Sequence, residues 1–153
     1  MIGGPTTRME QTRQYCTFVV NGQLFGVDVA HVQEVMAPYE ITPVPLAPPS
    51  VRGLMNLRGL IVTAIDLRVR MGLPPRQDGV AAMNVVVRVD AAVASLLVDE
   101  IGDVLDVPAE SYEHAPDNMP PERREMIEGV YKLDGRLLLA LDTERVLQTQ
   151  GCN

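Results

Sequence analysis

Tryptophan is absent from this chain and aromatic residues make up only 4% of it. An aromatic cage for a flat or cationic ligand is therefore unavailable, and the 46% apolar content, mostly Val, Leu and Ala, suits a β-rich aliphatic core. The two cysteines, Cys16 and Cys152, do not form a CxxC pair, and His31 and His114 stand alone. Those spacings exclude a metal-ligand cluster and leave two reduced thiols as the expectation. No Lys/Arg-rich stretch is present and the net charge is −7, which argues against a nucleic-acid partner, since few phosphate counterions could be released. No apolar run approaches the roughly 18 residues needed to span a bilayer, and no secretory h-region precedes Cys16, so the sequence reads as cytoplasmic without direct membrane insertion.

What the chain does have is an internal repeat. Residues 51–59 (VRGLMNLRG) recur as 127–135 (IEGVYKLDG), and each copy runs into an apolar segment ending at Asp66 or Asp142. The ungapped match extends over 51–71 against 127–147, with Gly53/Gly129, Leu57/Leu133, Gly59/Gly135, Ala64/Ala140 and Asp66/Asp142 identical. A second match, at an offset of 69 rather than 76, places Val20 on Val89, Val29 on Val98 and Val35 on Val104. The seven extra residues of the second half fall within 106–126, where 115–121 (APDNMPP) reads as an inserted loop. A diverged duplication in a chain of 153 residues implies two small halves, 15–78 and 80–148, sharing one core.

Residues 1–13 are polar and carry Gly3, Gly4 and Pro5, the composition of a disordered leader, and 151–153 form a tail. The spacing predicts strands over 16–20 and 23–27 around the turn dipeptide Asn21-Gly22. Asp28 is placed to cap a helix in which Val29, Val32, Val35 and Met36 follow helical spacing, with Gln33 and Glu34 off the buried stripe. Pro43, Pro45, Pro48 and Pro49 then impose an edge strand or extended loop. A second hairpin over 54–65 turns at Arg58-Gly59, and Asp66 caps a short helix ended by Gly72. The second half repeats the order, with hairpin strands over 85–89 and 92–98, a turn at Asp134-Gly135 and a final helix capped by Asp142. Each half thus supplies about five short strands, and a small closed barrel is the economical way to bury them.

Few residues suggest chemistry. Asp66 at a strand end could accept a phosphoryl group, but Asp142 occupies the same place in the repeat and both precede helical residues, so capping explains them better. Asp99, Glu100, Asp103 and Asp106 lack the alternation of a calcium loop, and Ile101, Val104 and Leu105 between them fit a solvated helix face. His31 has no nucleophile motif beside it. The segment from Gly53 to Gly59 lacks the Lys-Ser/Thr ending of a phosphate loop. Arg58 is different: it faces Asp134 in the repeat, and its possible partner Glu34 faces Asp103, so only the first half can form an ion pair there. A surface pair contributes only about 0–1 kcal/mol, which makes a polar element of a binding surface its better use.

The run QEV at 33–35, VRGLMNLRGLIV at 51–62, IDLR at 65–68, LVD at 97–99 and DVL at 103–105 together resemble the CheW family of chemotaxis coupling proteins, over residues 15–147. The resemblance implies an all-β fold with short helices: two five-stranded SH3-like β-barrels packed on a shared hydrophobic core, forming one domain over 14–150. It implies no catalysis and no cofactor. The implied role is an adaptor that bridges the cytoplasmic tips of methyl-accepting chemoreceptors and the regulatory domain of a CheA-type histidine kinase, in arrays at the inner face of the membrane. By position, Glu34 and Arg58 match the family's sensitive acidic and basic residues, Gly53 its glycine before the hairpin, and Val32, Val35, Ile61 and Val104 its apolar partner-contact positions. Two other readings stay open: an adaptor of a non-flagellar motility or developmental pathway, and a phosphorelay component that itself carries phosphate. The absence of kinase ATP-site motifs weighs against the second.

Overall fold

In the computed structural model, residues 12–148 are described. The expected leader and tail therefore lie outside the described residues, except at Thr12 and Arg13, which already belong to the first strand. Strands β1 (Thr12–Val20) and β2 (Gln23–Asp28) form the first hairpin, with Asn21 and Gly22 at φ 54° and 78°, both positive as a type I′ turn requires. The second hairpin joins β4 (Val51–Leu57) to β5 (Leu60–Asp66), and α1 (Leu67–Arg70) follows. Its N-cap is Asp66, whose Oδ1 accepts the Arg68 N–H at 3.0 Å. The second half supplies β6 (Met83–Val89), β7 (Ala92–Val98), β8 (Glu100–Pro108), a two-residue β9 (Tyr112–Glu113), α2 (Pro121–Arg124), β10 (Ile127–Leu133), β11 (Arg136–Leu141) and α3 (Thr143–Leu147). Asp142 caps α3 through the Arg145 N–H at 3.2 Å.

Two expected helices are strands. Asp28 does cap, accepting the Ala30 N–H at 2.9 Å, but what it starts is a single 3-10 turn, Val29–His31, after which Val32–Met36 extends as β3. Glu34 consequently sits on a strand. The acidic residues Glu100, Asp103 and Asp106 likewise lie on β8, not on a helix face.

The two sheets are not the two sequence halves. One is ordered β8-β1-β2-β11-β10-β9 and the other β3-β6-β7-β5-β4. Each sheet takes the first hairpin of one repeat and the third strand and second hairpin of the other, with the short β9 as the sixth strand of the larger sheet. The junctions are parallel ladders: Phe25 pairs with Leu139 and Gly26 with Ala140, as Ala94 pairs with Thr63 and Ser95 with Ala64. These four pairs obey the offsets of 69 and 76 read from the sequence. The irregularities obey them too, since the bulge between Cys16 and Phe18 returns between Val32 and Glu34, and that between Val51 and Gly53 between Ile127 and Gly129.

Hydrogen bonding ends at β8 and β9 in one sheet and at β3 and β4 in the other, so the ladders do not by themselves close the barrels expected from strand counting. Curling is nonetheless forced. Only the three residues Ala109–Ser111 separate β8 from β9, a reach of about 10 Å, whereas six strands laid flat would be about 24 Å across. Side chains fill three layers. Tyr15, Leu24, Tyr131 and Leu138 occupy the inside of the six-stranded sheet, and Met55, Leu57, Val62 and Val86 that of the five-stranded one. Between the sheets lies a shared core that includes Phe18, Phe25, Ile65, Val85, Leu96 and Leu139. The inserted loop covers part of it, with Ala115 and Met119 packed against the same cluster.

A charged network pins one of the two crossovers between sheets. Asp99 joins β7 to β8; its carboxylate takes two bonds from Arg68 (Nε 3.1 Å, Nη2 2.7 Å), two from Arg76 (3.2 and 3.0 Å) and one from the Asn21 N–H at 2.7 Å. Asp66, buried, receives Arg52 at 3.4 Å and Arg76 at 3.7 Å. Burial works against the charged Asp99, but the bonds from Arg68, Asn21 and Arg76 outweigh it and pull its pKa down to about 2. Such a carboxylate contributes stability that is complete above about pH 4, its unfolded range, and is lost as pH falls toward 2. Asp99→Asn should therefore cost about 2 kcal/mol at pH 7 and flatten the pH dependence of urea midpoints between about pH 4 and 2. An unchanged acid limb would show that the network does not set it.

Gly53 has φ 148° and a Cβ there would lie 2.1 Å from the Thr42 carbonyl oxygen, which accepts the Leu54 N–H at 2.9 Å. Gly53→Ala should cost about 2–3 kcal/mol in urea unfolding. Gly59→Ala, where φ is 91° but nothing lies within 4 Å, should cost about 1 kcal/mol.

Candidate functional site

The β4–β5 turn is built to hold a side chain in a fixed place. Asn56 Oδ1 accepts the Gly59 N–H at 2.8 Å, and the Tyr39 hydroxyl donates to the Asn56 carbonyl at 3.1 Å. Arg58 occupies the left-handed region at φ 54°. The corresponding positions of the β1–β2 and β6–β7 hairpins, Asn21 and Asp90, are residue types that tolerate this conformation, whereas for arginine it costs about 1 kcal/mol. The guanidinium of Arg58 donates from Nη2 to Glu34 Oε2. Because β3 and β4 are the outermost strands of their sheet, this ion pair spans the seam of the curled sheet. The pair expected from the sequence is formed, with Arg58 largely solvent-exposed and Glu34 about one-third so. In the other sheet the matching residues Asp103 and Asp134 share one sign and no such bridge forms.

The apolar candidates separate. Val35, Val104 and Ile61 are exposed at 45%, 53% and 57%, so they are available to a partner. Val32 is half-buried against the shared core and pairs with Val87. Gly53 is buried and serves the backbone approach to Thr42 described above. Gly53 is therefore a backbone requirement, and Val32 keeps only part of its surface accessible.

Several exposed apolar residues escaped the sequence reading, among them Leu137, Leu60 and Leu46. Leu137, exposed at 42%, is the repeat mate of Ile61, and the offset of 76 would have found it. Leu60 lies beside Ile61 in the same turn region and is also exposed. Leu46, fully exposed with φ 66°, crowns the proline-containing connection; its signal was an aliphatic residue between Pro45 and Pro48. The Arg68–Asp99–Arg76 cluster was also missed, because Asp99 was grouped with its acidic neighbours rather than with arginines distant in sequence.

No three His, Cys, Asp or Glu side chains among the described residues are placed to hold a metal ion. No helix among them is long and apolar enough to cross a membrane. What remains is a rigid surface with a braced cationic turn, an ion pair over a sheet seam and separate exposed aliphatic positions on both sheets, an arrangement for binding proteins.

Comparison with known proteins gives this surface a lineage. The chain is 30% identical to the chemotaxis protein CheW of Rhizobium meliloti over 138 residues, covering 90% of this chain and 89% of that one. It is 30% identical to the chemotaxis protein CheW of Klebsiella aerogenes, covering 90% and 83%, and 28% identical to that of Bacillus subtilis, covering 95% and 94%. Among solved structures it is similar to the crystal structure of the scaffolding protein TtCheW from Thermoanaerobacter tengcongensis, with a TM-score of 0.76 and 28% identity over 85% of this chain and 88% of that one. The CheW-like domain profile matches residues 14–151, nearly the whole chain, and the chain belongs to the CheW-like family.

Proposed function

We infer that this chain is a non-catalytic scaffold of chemotaxis signal transduction that couples chemoreceptor cytoplasmic tips to the regulatory domain of a CheA-type histidine kinase. The family match supports the adaptor role. The observation that carries the site is the Arg58–Glu34 pair, present in one copy of the duplication only. An exposed ion pair adds about 0–1 kcal/mol to stability, which at most balances the backbone cost of placing arginine in a left-handed turn. The side chain is retained for what it presents to a partner.

Each curled sheet reads as one SH3-like barrel, and each offers its own contacts. Ile61 and Leu60 surround the Arg58 turn, while Val104 lies on the free strand β8 of the other sheet. The shared core and the parallel junctions join the two sheets into one body. Receptor movement can then reach the kinase as a change in relative position, with no reaction in the adaptor. The protein would act at the inner face of the membrane, held there by its receptor partner.

In a pull-down with purified kinase regulatory domain, followed by calorimetry, Arg58→Glu and Glu34→Lys should each weaken binding by about tenfold or more, equivalent to about 1.4 kcal/mol. Melting temperatures should move by no more than about 4 °C, since ΔΔG stays below about 1 kcal/mol. The double variant Arg58→Glu with Glu34→Lys restores a pair of reversed polarity and should still bind poorly if the partner reads the charge. Normal binding by both single variants would refute the site, and failure of the unaltered chain to bind kinase would refute the function.

A further inference from the structure

In each repeat the first hairpin turn lies near the end of a short helix, and the two copies of this place differ in what covers them. In the first copy Val20, beside the β1–β2 turn, and Met71, at the end of α1, are buried at 0% and 1% exposure. Their repeat mates Val89 and Leu147 are only half-buried. Between these mates the structure has a cavity of about 320 Å³, lined by Val89, Ala91, Ala92 and Leu147 together with the exposed Asp90 and Glu144.

The cover in the first copy is the chain that leaves α1. Leu73 is buried and packs in the same core cluster as Val20 and Met71. The Pro74 carbonyl accepts a bond from Arg68 Nη1 at 2.8 Å, and Arg76 bonds Asp99, which also takes the Asn21 N–H. Arg68 and Asn21 are the repeat mates of Glu144 and Asp90, both in the cavity wall. Residues 72–76 (GLPPR) thus run over the ground that stays open in the second copy. The inserted loop adds to the same cover, since Arg123 Nε donates to the Met71 carbonyl at 3.2 Å. The shorter connection of the first half contributes no residue to the wall around Leu147.

We propose that this cavity is a docking site for an extended Leu-Pro segment of a partner protein. The first copy displays the occupant: a leucine set between a hairpin turn and a helix end, followed by two prolines that hold the chain extended. A segment already stiffened by proline loses little entropy on docking. The leucine is the recognised group, because Ala30 stands where Asp99 receives Arg76 in the first copy and offers no ion pair in its place. Asp90 and Glu144 disfavour acidic residues beside that leucine and admit neutral or basic ones. The site does not depend on which partner reads Arg58.

The test is a titration of the isotope-labelled full chain with acetyl-Gly-Leu-Pro-Pro-Arg-amide, the covering segment of the first copy, followed by amide chemical shifts. Saturable shifts should appear at Val89, Ala92 and Leu147, with a dissociation constant on the order of 1 mM for so small a probe. Acetyl-Gly-Ser-Pro-Pro-Arg-amide, which keeps the charge and the prolines, should bind at least about tenfold more weakly because the apolar burial is lost. Ala92→Glu, at an exposed position, and Leu147→Ser should each weaken the leucine peptide by at least about tenfold, with the remaining amide shifts of Ala92→Glu unchanged to show that the fold is kept. Equal binding of the leucine and serine peptides would reduce the effect to charge attraction and overturn the proposal. So would binding that survives both variants, the absence of saturable shifts in the full chain, or binding that appears only after residues 149–153 are removed, which would make this chain's own end the occupant.

Discussion

The parallel pairing of β2 with β11 and of β5 with β7 is the constraint on which the rest of the structure depends. It takes the first hairpin of each repeat away from its own sequence and completes it with strands from the other. Neither half can then bury its strands alone, because removing one repeat would strip a hairpin from one sheet and three or four strands from the other. The central strands are buried on both faces as a result. Along β11, Leu138 and Ala140 face the inside of the six-stranded sheet while Leu139 and Leu141 face the shared core, which explains the continuous apolar run LLLAL. A body tied together this way transmits displacement as a unit, the property a bridging protein requires.

Much of this was legible in the sequence, and what was not has a physical reason. The duplication, the four hairpins and the aspartate caps follow from local chemistry that tertiary contacts did not override. The helices expected at 29–36 and around 101–105 are strands, because the helical spacing there did not mark one buried face: Val32 and Ile101 pack against the shared core, whereas Val35 and Val104, three residues on, are exposed. Apolar residues facing both ways along a strand can mimic an i, i+3, i+4 stripe when read from the sequence. The exchange of hairpins between repeats left no local trace at all, since both arrangements use identical turns and identical alternation.

Divergence inside the sheets has kept volumes matched across the repeat. Tyr15 and Gly26 pack together in the six-stranded sheet, where a Cβ on Gly26 would meet the Tyr15 Cβ at 3.1 Å. Their repeat mates are Asn84 and Ser95, joined by a 2.8 Å hydrogen bond from the serine hydroxyl, with the Asn84 amide also donating to the Ala37 carbonyl at 2.9 Å. A large ring beside no side chain and two small polar groups beside each other fill similar space. The same logic governs the sheet seams. One is covered by the Tyr112 and Tyr131 rings, 5.7 Å apart between centroids, with Gly129 admitting Tyr112, and the other is spanned by Arg58 and Glu34.

Charge, unlike volume, has been inverted between the copies. Arg52, Arg58 and Arg68 of the first repeat stand where Glu128, Asp134 and Glu144 stand in the second, on backbones whose ladders and bulges coincide. The backbone accommodates either sign at these positions, although in the first copy Arg68 also serves the fold by bonding Asp99. A scaffold with matching charges on both copies would present two similar ends, and a partner suited to one would also suit the other. Reversing the sign along one hairpin gives like charges across the wrong interface, which repel, and opposite charges across the right one. The basic copy pairs its arginines with Asp66, Asp99 and Glu34, whereas in the acidic copy Arg13 pairs with Glu128 and Asp134 meets only the like-charged Asp103 at the matching place. A pseudo-symmetric body acquires two distinguishable ends in this way, without any change in the strands that hold it together.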